Sequence, residues 1–188
     1  MVIMVEGKGH FHAVRFYYDS SGLCDIVTDF VAEGLNAGEP AVVVAMPAHS
    51  ARIETLLAIR GFDVASLKRS GDLYIKDASA TLASLMVNRT LDEARFRRVI
   101  GPIVESAAGP RKRTVRVYGE MVDLLWKAGS TDAATHLETL WNGLSSTHVF
   151  VLLCAYALDG ISHTTHISEI CGLHTHVLAA NGEVTRAH

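Results

Sequence analysis

The sequence is poor in cysteine. Cys24, Cys154 and Cys171 are an odd number of thiols, scattered along 188 residues and without CxxC spacing. That excludes a disulfide framework and argues for reduced thiols. Long apolar runs are also missing: none approaches the roughly 20 residues that a membrane span requires. The N-terminal MVIMVEGKGH lacks an apolar stretch followed by a small-residue cleavage site. The expectation is a cytoplasmic protein that does not engage a membrane. An excess of basic charge is lacking too, since the formal net charge is −3. Direct nucleic-acid binding is therefore not expected, and Arg111-Lys112-Arg113 reads as a solvated turn. No internal repeat, low-complexity segment or linker divides the chain. What is present, 49% hydrophobic and 20% charged residues, is the composition of one globular domain with a sizeable core. That domain is expected over residues 10–180, with an N-terminal extension at 1–9 and a C-terminal tail at 181–188.

Hydrophobic periodicity alternates between two patterns. His12–Tyr18 is rich in β-branched and aromatic residues and suits a strand. From Ser20, the apolar positions Leu23, Ile26, Val27, Phe30, Val31 and Leu35 recur at helical spacing until Gly38. Ala41–Met46 is a continuous β-branched run of the kind buried on both faces. The helix after Pro47 is expected to turn Ile53, Leu56, Leu57 and Ile59 inward. Leu73–Ile75 reads as a strand, and helices follow at about 79–87 and 92–107. Thr114–Tyr118 reads as a strand, then come helices through Met121–Trp126 and Asp132–Leu144. His148–Tyr156 is the most apolar strand. A short helix at Ile167–His174 and an edge strand near His176–Leu178 complete the pattern. Strands alternating with helices imply a parallel sheet covered on both faces, with ligands at the carboxyl ends of its strands.

The first strand-to-helix turn, FYYDSSGLCD, falls where a phosphate-binding loop belongs, but its lysine is missing. In the register Ser21-Gly22-Leu23-Cys24, leucine stands for the lysine and cysteine for the magnesium-binding hydroxyl. Leucine cannot neutralise phosphate, and a thiol is a poor magnesium ligand. The segment Asp29–Met46 and the stretch GDLYIKDA nonetheless resemble KaiC-type members of the RecA-like ATPases. HAVRFYYDSSGL, RVYGEMVDLLW, LETLWNGL and LLCAY occur in order across roughly residues 10–178. Together they resemble the MEDS domain, the sensory domain of methanogen and methylotroph regulators of the DcmR type. This resemblance implies a RecA-like three-layer α/β sandwich without ATPase motifs, acting as a sensor of small molecules such as hydrocarbon derivatives. In many members the first-strand histidine is followed two positions later by cysteine. Here that position is Val14.

The expected ligand set lies above the strand ends: Tyr17, Tyr18, Asp19, Ser20, Ser21, Gly22, Cys24, His49, Glu120 and Tyr156. The helix N-terminus at the degenerate loop keeps its dipole for a polar or anionic ligand. Of Tyr17 and Tyr18, one is expected at the ligand edge and the other under a helix. His12 and Arg15 should point to opposite faces of their strand. Trp126 and Trp141 read as core or dimer-face residues, and Cys154 as a small core hydrophobe. The leading expectation is a non-catalytic sensory domain in signal transduction or transcriptional regulation. No cofactor is expected beyond a small-molecule ligand. No helix-turn-helix or kinase segment is evident, so the signal is expected to pass to a regulatory protein, or to a DNA-binding or kinase module on another chain. Homo-oligomerisation is a further expectation. The alternative is a metal-dependent enzyme or metal-binding sensor. It would hold zinc or iron through Cys171, His174 and His176, in a tail that also carries His163 and His166.

Overall fold

The computed structural model describes residues 11–158, 166–179 and 183–187. The expected N-terminal extension at 1–9 and His163 lie outside the described residues, as do parts of the expected tail. The chain runs β1 (Phe11–Tyr17), α1 (Ser20–Asn36), β2 (Ala41–Ala45), α2 (Pro47–Ile59), α3 (Val64–Ser70) and β3 (Leu73–Asp77). It continues through α4 (Ala78–Leu85), a small hairpin of β4 (Met86–Val87) and β5 (Thr90–Leu91), α5 (Glu93–Ala108), β6 (Val115–Gly119) and α6 (Met121–Lys127). Next come α7 (Thr131–Leu144), β7 (Phe150–Ala157), α8 (Ile167–Gly172), β8 (His176–Leu178) and β9 (Val184–Arg186).

Seven strands form one sheet in the order β3-β2-β6-β7-β1-β8-β9, parallel except for the antiparallel β8–β9 pair. Every residue of β2, β6 and β7 is buried, which explains their unbroken apolar sequence. Alternate residues feed two separate cores. Val42, Val44, Val117, Leu152 and Cys154 meet α4–α8 on one face. Val43, Tyr118, Val151 and Leu153 meet α1–α3 on the other. This is the expected three-layer α/β sandwich with a mainly parallel sheet.

Several details depart from the sequence pattern. Ile59 is 73% exposed rather than inward. The inner stripe of α2 is Ser50, Ile53 and Leu57, and Ile59 lies two positions, about 200°, around from Leu57. Helix α3, which buries no residue, has no apolar period by which to be recognised. β9 pairs with β8 beyond the last expected element. α8 stops at Gly172, two residues short of His174. Helix α1 follows the expected stripe, with Leu23, Cys24, Val27, Phe30 and Val31 buried. Ala37 caps it, and Gly38 turns the chain away at φ 77°, in the left-handed region where glycine is unstrained.

Candidate functional site at the strand ends

Because β1, β2, β6 and β7 are parallel, their carboxyl ends share one edge. Two acidic side chains organise that edge. Glu120 follows β6 and sits at the N-cap of α6, yet its carboxylate makes no cap bond. It turns instead across the sheet: Oε2 accepts the Met46 N–H at 2.8 Å, just past the end of β2, and Oε1 accepts Nδ1–H of His49 at 2.7 Å. His49 stands in the first turn of α2. Asp123, one turn into α6, is fully buried. Its Oδ2 accepts the Tyr17 hydroxyl at 2.7 Å and lies 2.8 Å from Lys127 Nζ, while Oδ1 accepts the Ala157 N–H at 2.7 Å. Lys127 Nζ also donates to the Tyr17 hydroxyl at 3.0 Å. Trp126 Nε1 donates to the Ala157 carbonyl at 3.0 Å. Helix α6 thus clasps the ends of β1 and β7 from one side and holds β2 through Glu120.

The Glu120 hydrogen bond, against an opposing contribution from burial, raises the His49 pKa above its ordinary 6.5. The stability that this pair contributes is therefore complete below pH 6.5, the unfolded value, and is lost as pH rises through the folded pKa. Burial lowers the pKa of His12 and of His176 and so works in the opposite direction; the expected result is that the wild-type-minus-His49→Asn difference in urea midpoint shrinks between pH 6 and pH 8. A His49 NMR titration midpoint at or below 6.5 would contradict it.

The degenerate loop is already occupied. Asp19 is the N-cap of α1, and its Oδ1 accepts from Ser21 N at 2.7 Å, Gly22 N at 3.2 Å and the Ser21 hydroxyl at 2.5 Å. A carboxylate therefore sits on the amides that a phosphate would use. Leu23 and Cys24 point into the core. Burial, followed by the nearby Glu120 charge, pushes the Cys24 thiol up to about 11, which makes it unreactive at neutral pH.

The expected ligand set thus divides. Tyr17, His49 and Glu120 converge on the strand-end edge, with Asp19–Gly22 forming the adjoining turn. Tyr18 packs under no helix and is 84% exposed. Tyr156 does not reach the edge either. Its position on β7 turns it to the α7 face, where its hydroxyl donates to Glu138 at 2.7 Å. Trp126 and Trp141 are core residues. Asp123 and Lys127 belong to the edge although the sequence pattern does not single them out. Two grooves of about 270 and 280 Å³ lie at the opposite, amino end of the sheet, beside Ala108, Arg113 and, in the first, His148, and a third of about 210 Å³ lies between α5 and α7. None of them is lined by Glu120 or Asp123.

The expected metal trio is not assembled. Cys171 is half-buried at the end of α8, and His176 stacks on Phe11 at 4.4 Å. His174 turns inward instead, towards His12, Glu138 and Cys154.

No helix among the described residues is long and apolar enough to cross a membrane. The fold is similar to that of a KaiC-like protein from Pyrococcus horikoshii OT3. The TM-score is 0.61 over 89% of this chain and 70% of that one, at 16% identity, so the likeness establishes the RecA-like architecture and no more. No curated protein matches the sequence. The profile of the methanogen/methylotroph, DcmR sensory domain matches residues 11–175, and the chain accordingly belongs to the MEDS family.

Proposed function

We propose that the chain is a non-catalytic sensory domain that binds a small, weakly charged organic molecule at the strand-end edge. The response would pass to a regulatory protein or to a DNA-binding or kinase module. Membership of a sensory family supports the reading. The observation that carries it is the Asp19 carboxylate seated on Ser21 N and Gly22 N, with Leu23 buried where a nucleotide-binding loop needs lysine. A nucleotide would meet a fixed negative charge at the loop and leucine in place of its lysine. Beside the loop, the hydrogen-bonded set of His49, Glu120, Tyr17 and Lys127 stands in place of a phosphate cradle.

The test is a thermal-shift screen of short alcohols, aldehydes, amines and halomethanes beside Mg-ATP. Saturation at a hundred times Kd contributes about 2.7 kcal/mol, or roughly 5–10 °C in Tm at this chain length. One or more of the organic compounds should produce a saturable rise that His49→Asn abolishes, and Mg-ATP should produce none. A rise with Mg-ATP, or none with any organic compound, would sink the reading.

A further inference from the structure

Beneath the sheet, on the α7 face and away from the edge just described, four metal-ligating side chains converge. His12 of β1, Glu138 of α7, Cys154 of β7 and His174, just past α8, are all buried. Each places a ligand atom within 4.8 Å of the others. His12 Nε2 lies 3.2 Å from Glu138 Oε2, His174 Nε2 lies 3.2 Å from Glu138 Oε1, and Cys154 Sγ lies 3.3 Å from Glu138 Oε2. The two imidazole rings stand 4.0 Å apart. A tetrahedron with bonds of about 2.0–2.3 Å has edges of about 3.3–3.8 Å, so only small movements would bring all four atoms onto one ion.

The hydrogen bonds around the cluster settle which nitrogens face it. His174 Nδ1 lies 2.7 Å from the Ile170 carbonyl, which can only accept, so that nitrogen carries the proton. Asn142 Nδ2 donates to the Leu173 carbonyl at 2.8 Å, which leaves its Oδ1 to accept from His12 Nδ1 at 2.8 Å. In their neutral forms both imidazoles therefore direct an Nε2 lone pair towards the Glu138 carboxylate. Lone pairs set against a buried carboxylate repel. One proton, on either ring or on Glu138, satisfies one of the two Nε2–carboxylate contacts and leaves the other as two lone pairs in opposition, whereas a second proton on both rings would bury two cations against one anion. A divalent cation between them removes both difficulties. With the Cys154 thiol deprotonated, its proton passing to solvent as the sulfur–metal bond forms, the charges +2, −1 and −1 cancel.

We infer that His12, Glu138, Cys154 and His174 form a closed four-ligand site for a divalent transition-metal ion of the zinc class. Two nitrogens, one sulfur and one oxygen suit zinc. The orienting partners are already in place: Asn142 on His12, the Ile170 carbonyl on His174, and the Tyr156 hydroxyl on Glu138 at 2.7 Å. Ligating histidines and carboxylates characteristically rest on such contacts. Burial leaves no open coordination position, so the ion is structural and joins the segment carrying His174 to β1, β7 and α7. The ligands differ from those expected in the sequence, where His174 was grouped with Cys171 and His176.

The test uses the full chain, loaded with zinc and desalted, and then with cobalt in its place. The wild type should retain one zinc per chain by elemental analysis. Its cobalt form should show tetrahedral visible bands and a near-ultraviolet thiolate charge-transfer band. Cys154→Ser should abolish that band, and Asn142→Ala, which removes no ligand but takes away the partner of His12 and of the Leu173 carbonyl, should weaken zinc binding by about 10–100-fold. Cys171→Ser and His176→Asn should leave stoichiometry and spectrum unchanged. Should Cys154→Ser not fold, the wild-type cobalt spectrum decides alone. No zinc above the buffer blank, a cobalt spectrum without the thiolate band, or equal loss in Cys171→Ser overturns the assignment.

Discussion

Replacing Asp123 with alanine is expected to destabilise the protein by about 2–4 kcal/mol, because two donors lose their acceptor, while its ion-pair partner Lys127, 39% exposed, can turn to water. The carboxylate is fully buried and serves three elements at once: the Tyr17 hydroxyl from β1, the Ala157 N–H from β7 and Lys127 of its own helix. Alanine would leave the Ala157 N–H without an acceptor inside the protein, which alone costs about 1–3 kcal/mol. It would also remove the oxygen that receives the Tyr17 hydroxyl. At about 2–4 °C per kcal/mol, Tm should fall by roughly 4–16 °C. Asp123→Asn keeps one acceptor for Ala157 and should cost less than half as much. A loss below about 1 kcal/mol for alanine, read from urea midpoints at constant slope, would mean that α6 does not hold the strand ends.

The two tryptophans give the second large effect, and they should respond differently to the same substitution. Trp141 is buried against Phe96 and Phe150, with ring centroids at 5.1 and 5.9 Å. Its truncation to alanine should cost about 3–5 kcal/mol through lost burial and a residual cavity. Its Nε1 has no hydrogen-bond partner among the described residues. Trp141→Phe therefore removes an unsatisfied donor along with some packing, and should stay within about 1 kcal/mol of wild type. Trp126 is bonded through Nε1 to the Ala157 carbonyl and packs edge-on against Tyr156 at 5.3 Å. Trp126→Phe loses both the bond and part of the ring contact, so it should cost about 1–2 kcal/mol more than Trp141→Phe. Equal losses in the two phenylalanine variants would refute this distinction.

Much of the architecture could be read before any coordinates. β2, β6 and β7 are legible because burial on both faces leaves them no reason to carry polar residues, and α1 because its stripe is regular. Helix α3 and the β4–β5 hairpin are not. The first buries nothing, and the hairpin turns through Asn88 and Arg89 at positive φ without the Asn-Gly or Asp-Gly signal of such turns. At the edge, Glu120 is conspicuous because a Gly-Glu pair closes an apolar strand. Asp123 is hidden among the apolar residues of MVDLLW, as Glu138 is within LETLW. A buried acid of this kind draws its meaning from partners on other strands, and neither helical period nor local spacing carries that information. Cys154 is the small core residue that its apolar strand implies, but the polar partner of its sulfur, Glu138, comes from a different element and could not be read from the strand.

The sheet order also bears on how the protein is made. β1 lies between β7 and β8, so the earliest of the described strands of this sheet has both its partners more than a hundred residues later in the chain. β2, β3 and β6 are neighbours and can assemble while β1 waits unpaired, its apolar residues without a sheet to join. Late closure of such distant pairs is slow and leaves an edge open to wrong partners. For this domain, the vulnerable interval in biogenesis lasts until β7 and β8 are synthesised.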